Sequence, residues 1–385
     1  MNALALLFVL AFVVSVDLRI IAPVLPSIAE SLRATAGGVG LAMTSYAFAY
    51  GGGQLLYGPL SDRHGRVPVV RLAALGWSAC TALSALCTTT WQFVMVRLLA
   101  GAFAGSVIPL TLVYIGDTVE YARRQEVMGR FSIVTSAGLA FSAAIGGLVA
   151  YLVSWRAMLF AYAVVGLLPS ALLWRLPPDR PVRDPAEIEP VARFVDFLRD
   201  PFARTVYLAI FAEGFLLWGA VTYLGAYATA RYRLSQLDVG LLIALFGVGT
   251  MVGGALMGSL RRRWSEARLA GSGGLVMGLA FLMIAPRGEW LDSWIVFAAA
   301  MLLLGLGFVG LHTTLQVRGT EISQAARGKA FSLFPASLFS GVALGTAAMG
   351  PLVDAGGEHL MLAGCGLGLT GVGIVTARIR RRRTA

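Results

Sequence analysis

Apolar positions in this chain gather into long blocks separated by short polar or charged stretches. Blocks near 3–27, 38–60, 70–88, 91–114, 130–152, 157–174, 205–228, 237–260, 269–286, 293–317, 331–352 and 359–377 each hold about 18–25 residues, the length that crosses a ~30 Å hydrocarbon core at ~1.5 Å per residue. They are continuously apolar and lack the two-residue alternation of a barrel strand. Helices, which satisfy their own backbone polar groups in lipid, are therefore predicted. The expectation is an all-α membrane protein with twelve transmembrane helices.

Composition agrees with that class: 57% of 385 residues are hydrophobic and 13% charged, with a mean hydropathy of +0.76. The first block follows Met1-Asn2 without a basic leader and runs past Asp17, which reads as a span rather than a cleavable signal. Cys80, Cys87 and Cys365 fall inside apolar blocks with no ligand spacing, so neither a disulfide framework nor a metal site is expected, and no cofactor. Of the 31 basic residues, 24 lie in the loops after even-numbered helices and in the tail, five lie on the opposite side, and Arg19 and Arg97 lie inside spans. The positive-inside rule places both termini in the cytoplasm. Anionic lipid beside those loops accounts for the net charge of +11, so the bilayer is the expected partner and nucleic acid is not. Lys329 is the only lysine, an arginine bias that fits a GC-rich bacterial genome and hence a bacterial inner membrane.

The chain also repeats. Residues 176–204 are rich in proline and mixed charge and read as a cytoplasmic linker, with an amphipathic helix expected over 192–198. They divide a six-helix half, 1–175, from a second, 205–385, that ends in a basic cytoplasmic tail. Gly58 and Leu60 correspond to Gly258 and Leu260 at an offset of 200, while Asp117, Arg123 and Gly146 correspond to Glu321, Arg327 and Gly350 at 204.

The stretch Gly58-Pro-Leu-Ser-Asp62-Arg63-His-Gly65-Arg66, after the second block, resembles motif A of the major facilitator superfamily. That resemblance implies a cytoplasmic gate: Asp62 would meet the amino end of the eleventh helix near Ala330–Leu333, and Arg66 would pair with Asp117. The second copy, Gly258-Ser-Leu-Arg261-Arg262-Arg263, lacks the acid, so the latch is one-sided. Arg97 in Arg97-Leu-Leu-Ala-Gly101 is similar to motif B with Ala100 in place of glutamine. Asp17-Leu-Arg19 through Leu25-Pro26-Ser-Ile28 is similar to motif D, and Trp155-Arg156 resembles a step of the drug:proton antiporter branch. Gly138 to Gly147 matches the antiporter motif C only in part, because Ser142 and Ala143 stand where that motif has Gly-Pro.

Charges at membrane depth need partners or a wet cavity, so an Asp17–Arg97 or Asp17–Arg19 pair is expected, with Asp17, Arg97 and Glu213 as the groups that couple transport to protons. Tyr46, Tyr50, Gln54 and Tyr57 share one face of helix 2, and His312 and Gln316 share one face of helix 10. With Arg19 and Trp218, these are candidates to line a substrate cavity. Gly305-Leu-Gly307-Phe-Val-Gly310 and Gly366-Leu-Gly368-Leu-Thr-Gly371 read GxGxxG, but each lies inside an apolar block without a preceding strand, so they are packing glycines. With no Walker A sequence, ATP is not the direct energy source. The resemblance implies a monomeric secondary transporter, not an enzyme, exporting small organic molecules against protons by alternating access. A proton symporter or facilitator for a sugar or organic anion stands as the alternative, and a non-transporting membrane sensor as a third.

Overall fold

The computed structural model describes residues 3–176, 194–286, 293–322 and 327–379, with the side chains at 121–122, 194–196 and 327–331 excepted. Among the described residues every regular element is helical. The first group comprises α1 (Ala3–Asp17), α2 (Leu25–Ser31), α3 (Ala36–His64), α4 (Arg66–Leu86), α5 (Thr90–Ala104), α6 (Val107–Thr118), α7 (Tyr121–Leu152) and α8 (Trp155–Leu173). The second comprises α9 (Phe194–Arg199), α10 (Pro201–Glu213), α11 (Gly219–Tyr232), α12 (Gln236–Arg263), α13 (Glu266–Ile284), α14 (Trp294–Thr320), α15 (Arg327–Asp354) and α16 (Glu358–Arg378).

Among the described residues, eleven helical segments are long and apolar enough to cross a membrane, three of them built from consecutive helices: α1–α2, α5–α6 and α10–α11. The chain is a multi-pass membrane protein. Helix α3 has the length, 29 residues, but falls outside that set because glycines and the Tyr46–Tyr57 stripe lower its hydropathy. Several helices also outrun their apolar blocks. Arg123, Arg124 and Arg130, read as loop, lie within α7, and Arg261, Arg262 and Arg263 form the last turn of α12. Charged residues continue a helix once it leaves hydrocarbon, since nothing but proline or a cap must end it there. Of the expected amphipathic segment, residues 192–193 lie outside the described residues, and the remainder belongs to α9.

Large apolar side chains such as Phe48, Leu56, Leu86, Leu168 and Leu367 are exposed, as lipid-facing positions require. Inside, hydroxyls return hydrogen bonds to their own helix four residues back: Ser84 to Cys80, Thr111 to Val107, Ser170 to Gly166 and Thr314 to Gly310. Cys80, Cys87 and Cys365 are free and buried. Five of the six GxGxxG glycines are helix contacts, among them Gly305 at the Phe246 carbonyl, Gly307 at the Gly273 carbonyl and Gly366 at the Gly278 carbonyl, whereas a Cβ on Gly371 would meet no described atom within 4 Å.

The two groups of helices touch mainly through α3 with α15 and α7 with α12. Small residues on the facing sides make these seams, at seven-residue spacing on α12. On α12, Gly240 and Gly247 meet Ala143 and Ala140 of α7, yet a Cβ on Gly254, two turns further on the same face, would meet nothing within 4 Å. On α3, Gly37 touches Gly350 and Gly51 touches Phe339. On α7, Gly147 meets Gln236 and Gly129 is open. The α7–α12 seam is closed at one end and splayed at the other. The closed end is also bonded. Asp354, at the end of α15, accepts from Thr35 Oγ1 at 2.7 Å and the Gly37 amide at 2.8 Å, so it caps the amino terminus of α3 from the other group.

Candidate functional site: a central cavity between two buried carboxylates

Helix α1 stops at Asp17. The Val16 carbonyl then takes the amides of Arg19 and Ile20, each at 3.2 Å, and the Ser142 hydroxyl at 2.5 Å. The break is followed by a 3-10 turn, Ala22–Val24, around Pro23, and the backbone resumes as α2. Helix α7 approaches closely enough to serve that carbonyl because its facing residues are small. Gly138 meets the Phe12 carbonyl and Gly146 the Ile20 carbonyl, with Ser142 between them at four-residue spacing. Ser142, the departure from motif C, thus bonds the broken helix.

Asp17 is fully buried, and each of its oxygens has a donor: Arg97 Nη1 at 3.1 Å on Oδ1 and Trp77 Nε1 at 2.8 Å on Oδ2. Arg97 is also fully buried, with Nε and Nη2 lacking hydrogen-bond partners among the described residues, and its guanidinium lies 4.3 Å from the centre of the Tyr46 ring. The Tyr162 hydroxyl donates to the Val13 carbonyl one turn before Asp17, and its ring meets Trp77 edge-on. Of the two partners open to Asp17 from depth alone, the structure selects Arg97. Arg19 lies across the seam instead, with its guanidinium on the face of Trp218.

Glu213 occupies the equivalent place in the second group. It ends α10 and is fully buried, and His312 Nδ1 lies 2.9 Å from its Oε1, while Oε2 has no partner among the described residues. The next residues, Gly214–Trp218, form a π-helical turn. Its i→i+5 bonding sets Glu213 and Trp218 against successive turns of α14, at His312 and Phe308, and such wide turns mark functional positions in helices.

Between the groups lies a cavity of about 190 Å³, lined among others by Arg19, Tyr46, Trp218, Phe308, His312 and Phe339. Four of the expected cavity residues, Arg19, Tyr46, Trp218 and His312, therefore face it. Tyr50 is buried against Phe339 at 4.4 Å between ring centres, in the α3–α15 seam. Gln54 is half-buried further along α3, and Gln316 is exposed one turn beyond His312.

The motif A turn is ordered by a glycine. Gly65, between α3 and α4, has φ 88°, where a side chain would be strained. Arg66 then folds back onto Asp62 at 2.5 Å, Ser61 Oγ at 2.5 Å and Asp117 at 3.1 Å. Arg63 is exposed. Of the expected contact segment on the eleventh helix, the side chains of Ala330 and Phe331 lie outside the described residues.

Sequence reasoning did not identify Trp77, Tyr162 or Asp354. Trp77 carried a signal, as an indole donor within an apolar block, but the rotation of α4 that aims it at Asp17 is set only by packing.

The family model of the Major Facilitator Superfamily matches residues 7–346. A chloramphenicol resistance protein of Pseudomonas aeruginosa is 30% identical over 294 residues, 74% of this chain and 68% of that protein. A probable L-galactonate transporter of Escherichia coli is 25% identical over 335 residues, covering 81% and 73% respectively. Among solved structures, a bacterial homologue of the human lysosomal transporter Spinster, inward-facing and unoccupied, superposes with a TM-score of 0.80 at 16% identity, over all of this chain and 98% of the other.

Proposed function

The chain belongs to the major facilitator superfamily and is a transporter rather than an enzyme; from that premise we propose that it exports small amphipathic organic molecules in exchange for protons, by alternating access to the central cavity. The observation that carries this reading is the pair of fully buried carboxylates, Asp17 and Glu213, one in each helix group beside the cavity. A carboxylate withdrawn from water and held by a separable partner, Arg97 or His312, is suited to gain and lose a proton as the helices move.

In this reading α3 is the span that brings the number to twelve, the arginine-rich helix ends and both termini are cytoplasmic, and the splayed end of the α7–α12 seam opens inward. Asp62, Arg66 and Asp117 form the cytoplasmic latch that engages the amino end of α15 when the splayed end closes. The protein works as a monomer in a bacterial inner membrane. Its likeness to the chloramphenicol resistance protein supports efflux. A second reading, proton symport of a polar metabolite, draws on the likeness to the probable L-galactonate transporter and on Arg19 in the cavity.

Purified protein in proteoliposomes decides between them. A panel of small aromatic solutes, chloramphenicol among them, is added while internal pH is recorded. Proton movement opposite to the solute is expected; movement in the same direction favours symport, and no solute-dependent flux contradicts both.

A further inference from the structure

The cavity has an unusual balance of charge. Among the described residues that line it, Arg19 alone carries a permanent charge. Asp17 and Glu213 are fully buried and do not line it, the first held by Arg97 and Trp77 and the second by His312. Arg19 itself makes no side-chain hydrogen bond or ion pair among the described residues, and its Nε is buried without a partner. The Trp218 face compensates part of that charge, as an aromatic ring does for a guanidinium. The forked donors are bonded to no described protein group, and a cation at membrane depth calls for a partner.

We infer, building on the transporter reading, that Arg19 is a specificity-determining residue and that the cavity takes small aromatic carboxylates in preference to neutral or cationic analogues. A carboxylate would accept two hydrogen bonds from the Arg19 fork, while the attached ring lies against Phe308 and Phe339. A cationic ligand would meet the positive charge of Arg19 and no acid among the described lining residues, so it is repelled. At about 190 Å³ the cavity is smaller than the ~300–1,000 Å³ of drug-sized pockets, which favours ligands of one or two rings. The geometry of the chain break sets this up. Asp17 and Arg19 are two residues apart, so the backbone sends them to opposite sides, the acid into its own bundle and the cation across to the other.

The test is equilibrium binding to purified full-length protein with three matched probes: 2-naphthoate, 2-naphthamide and 2-naphthylmethylammonium. Binding requires neither a gradient nor a transport direction, so its result is independent of the proteoliposome experiment. Wild-type protein is expected to bind the carboxylate about tenfold or more tightly than the amide, as a charge-assisted pair allows, and the ammonium most weakly. Arg19→Gln should bring carboxylate and amide affinities together while amide binding persists, and Arg19→Lys should restore part of the preference. Equal wild-type affinity for all three probes, or tighter binding of the ammonium, overturns the inference without recourse to any variant. So does a carboxylate preference that survives in Arg19→Gln.

Discussion

Asp17 depends on donors from two other helices, and the cost of removing either can be ranked. Trp77→Phe deletes one hydrogen bond to a charged group and is expected to lower stability by about 1.5–3 kcal/mol. Arg97→Ala leaves a buried carboxylate uncompensated and is expected to cost more, about 3–5 kcal/mol, with loss of transport. Combining Arg97→Ala with Asp17→Asn should be less destabilising than the two single changes added together. A double-mutant cycle on unfolding in detergent measures that coupling, and strict additivity would show that the pair does not act as a unit. In the second group, Glu213→Gln is expected to leave solute binding intact and to abolish the pH dependence of flux; an unchanged pH profile would remove Glu213 from the proton path. The depth of Asp17, Arg97 and Glu213 was legible from the sequence because a charge inside an apolar block is conspicuous. Which of them meet was less so. The choice of Arg97 over Arg19, and of His312 for Glu213, depends on helix rotations fixed by residues about 80 and 99 positions away.

Between helices, the seven-residue glycine spacing makes a prediction that a list of contacts would not. Gly254 faces open space here but lies on the face that Gly240 and Gly247 use to meet α7. Gly254→Leu should therefore leave this conformation folded, its stability unchanged or raised by up to ~1 kcal/mol, while blocking closure of the splayed end and so stopping transport. Gly247→Leu would overlap Ala140 and is expected to destabilise the fold by about 1–3 kcal/mol. Normal flux in Gly254→Leu, measured at equal membrane abundance, would mean that the seam does not close there. The helices themselves were legible because block length and continuous apolarity leave the backbone few options in lipid. Their ends were not, since α7 and α12 continue into arginine-rich sequence, and α3 hides a 29-residue helix behind glycines and polar aromatics. Asp354 was equally hidden, because an acid at the end of one helix becomes a cap for another only once the two bundles are docked.

At the scale of the molecule, alternating access requires two bundles that rock about the cavity, opening one end as the other closes. The closed end is held by the Asp354 cap on α3 and the open end exposes Gly129 and Gly254. Spin labels report this directly in a background free of the three native cysteines. One pair, at Arg130 and Arg261, spans the ends of α7 and α12; the other, at Ser31 and Ala355, spans the opposite side. The predicted result is anticorrelation as pH is lowered or solute is added: the Arg130–Arg261 distance shortens while the Ser31–Ala355 distance lengthens. Gly254→Leu should freeze both distances near their starting values. Distances that stay fixed under every condition in the wild-type protein, or that lengthen and shorten together, would contradict alternating access in this chain.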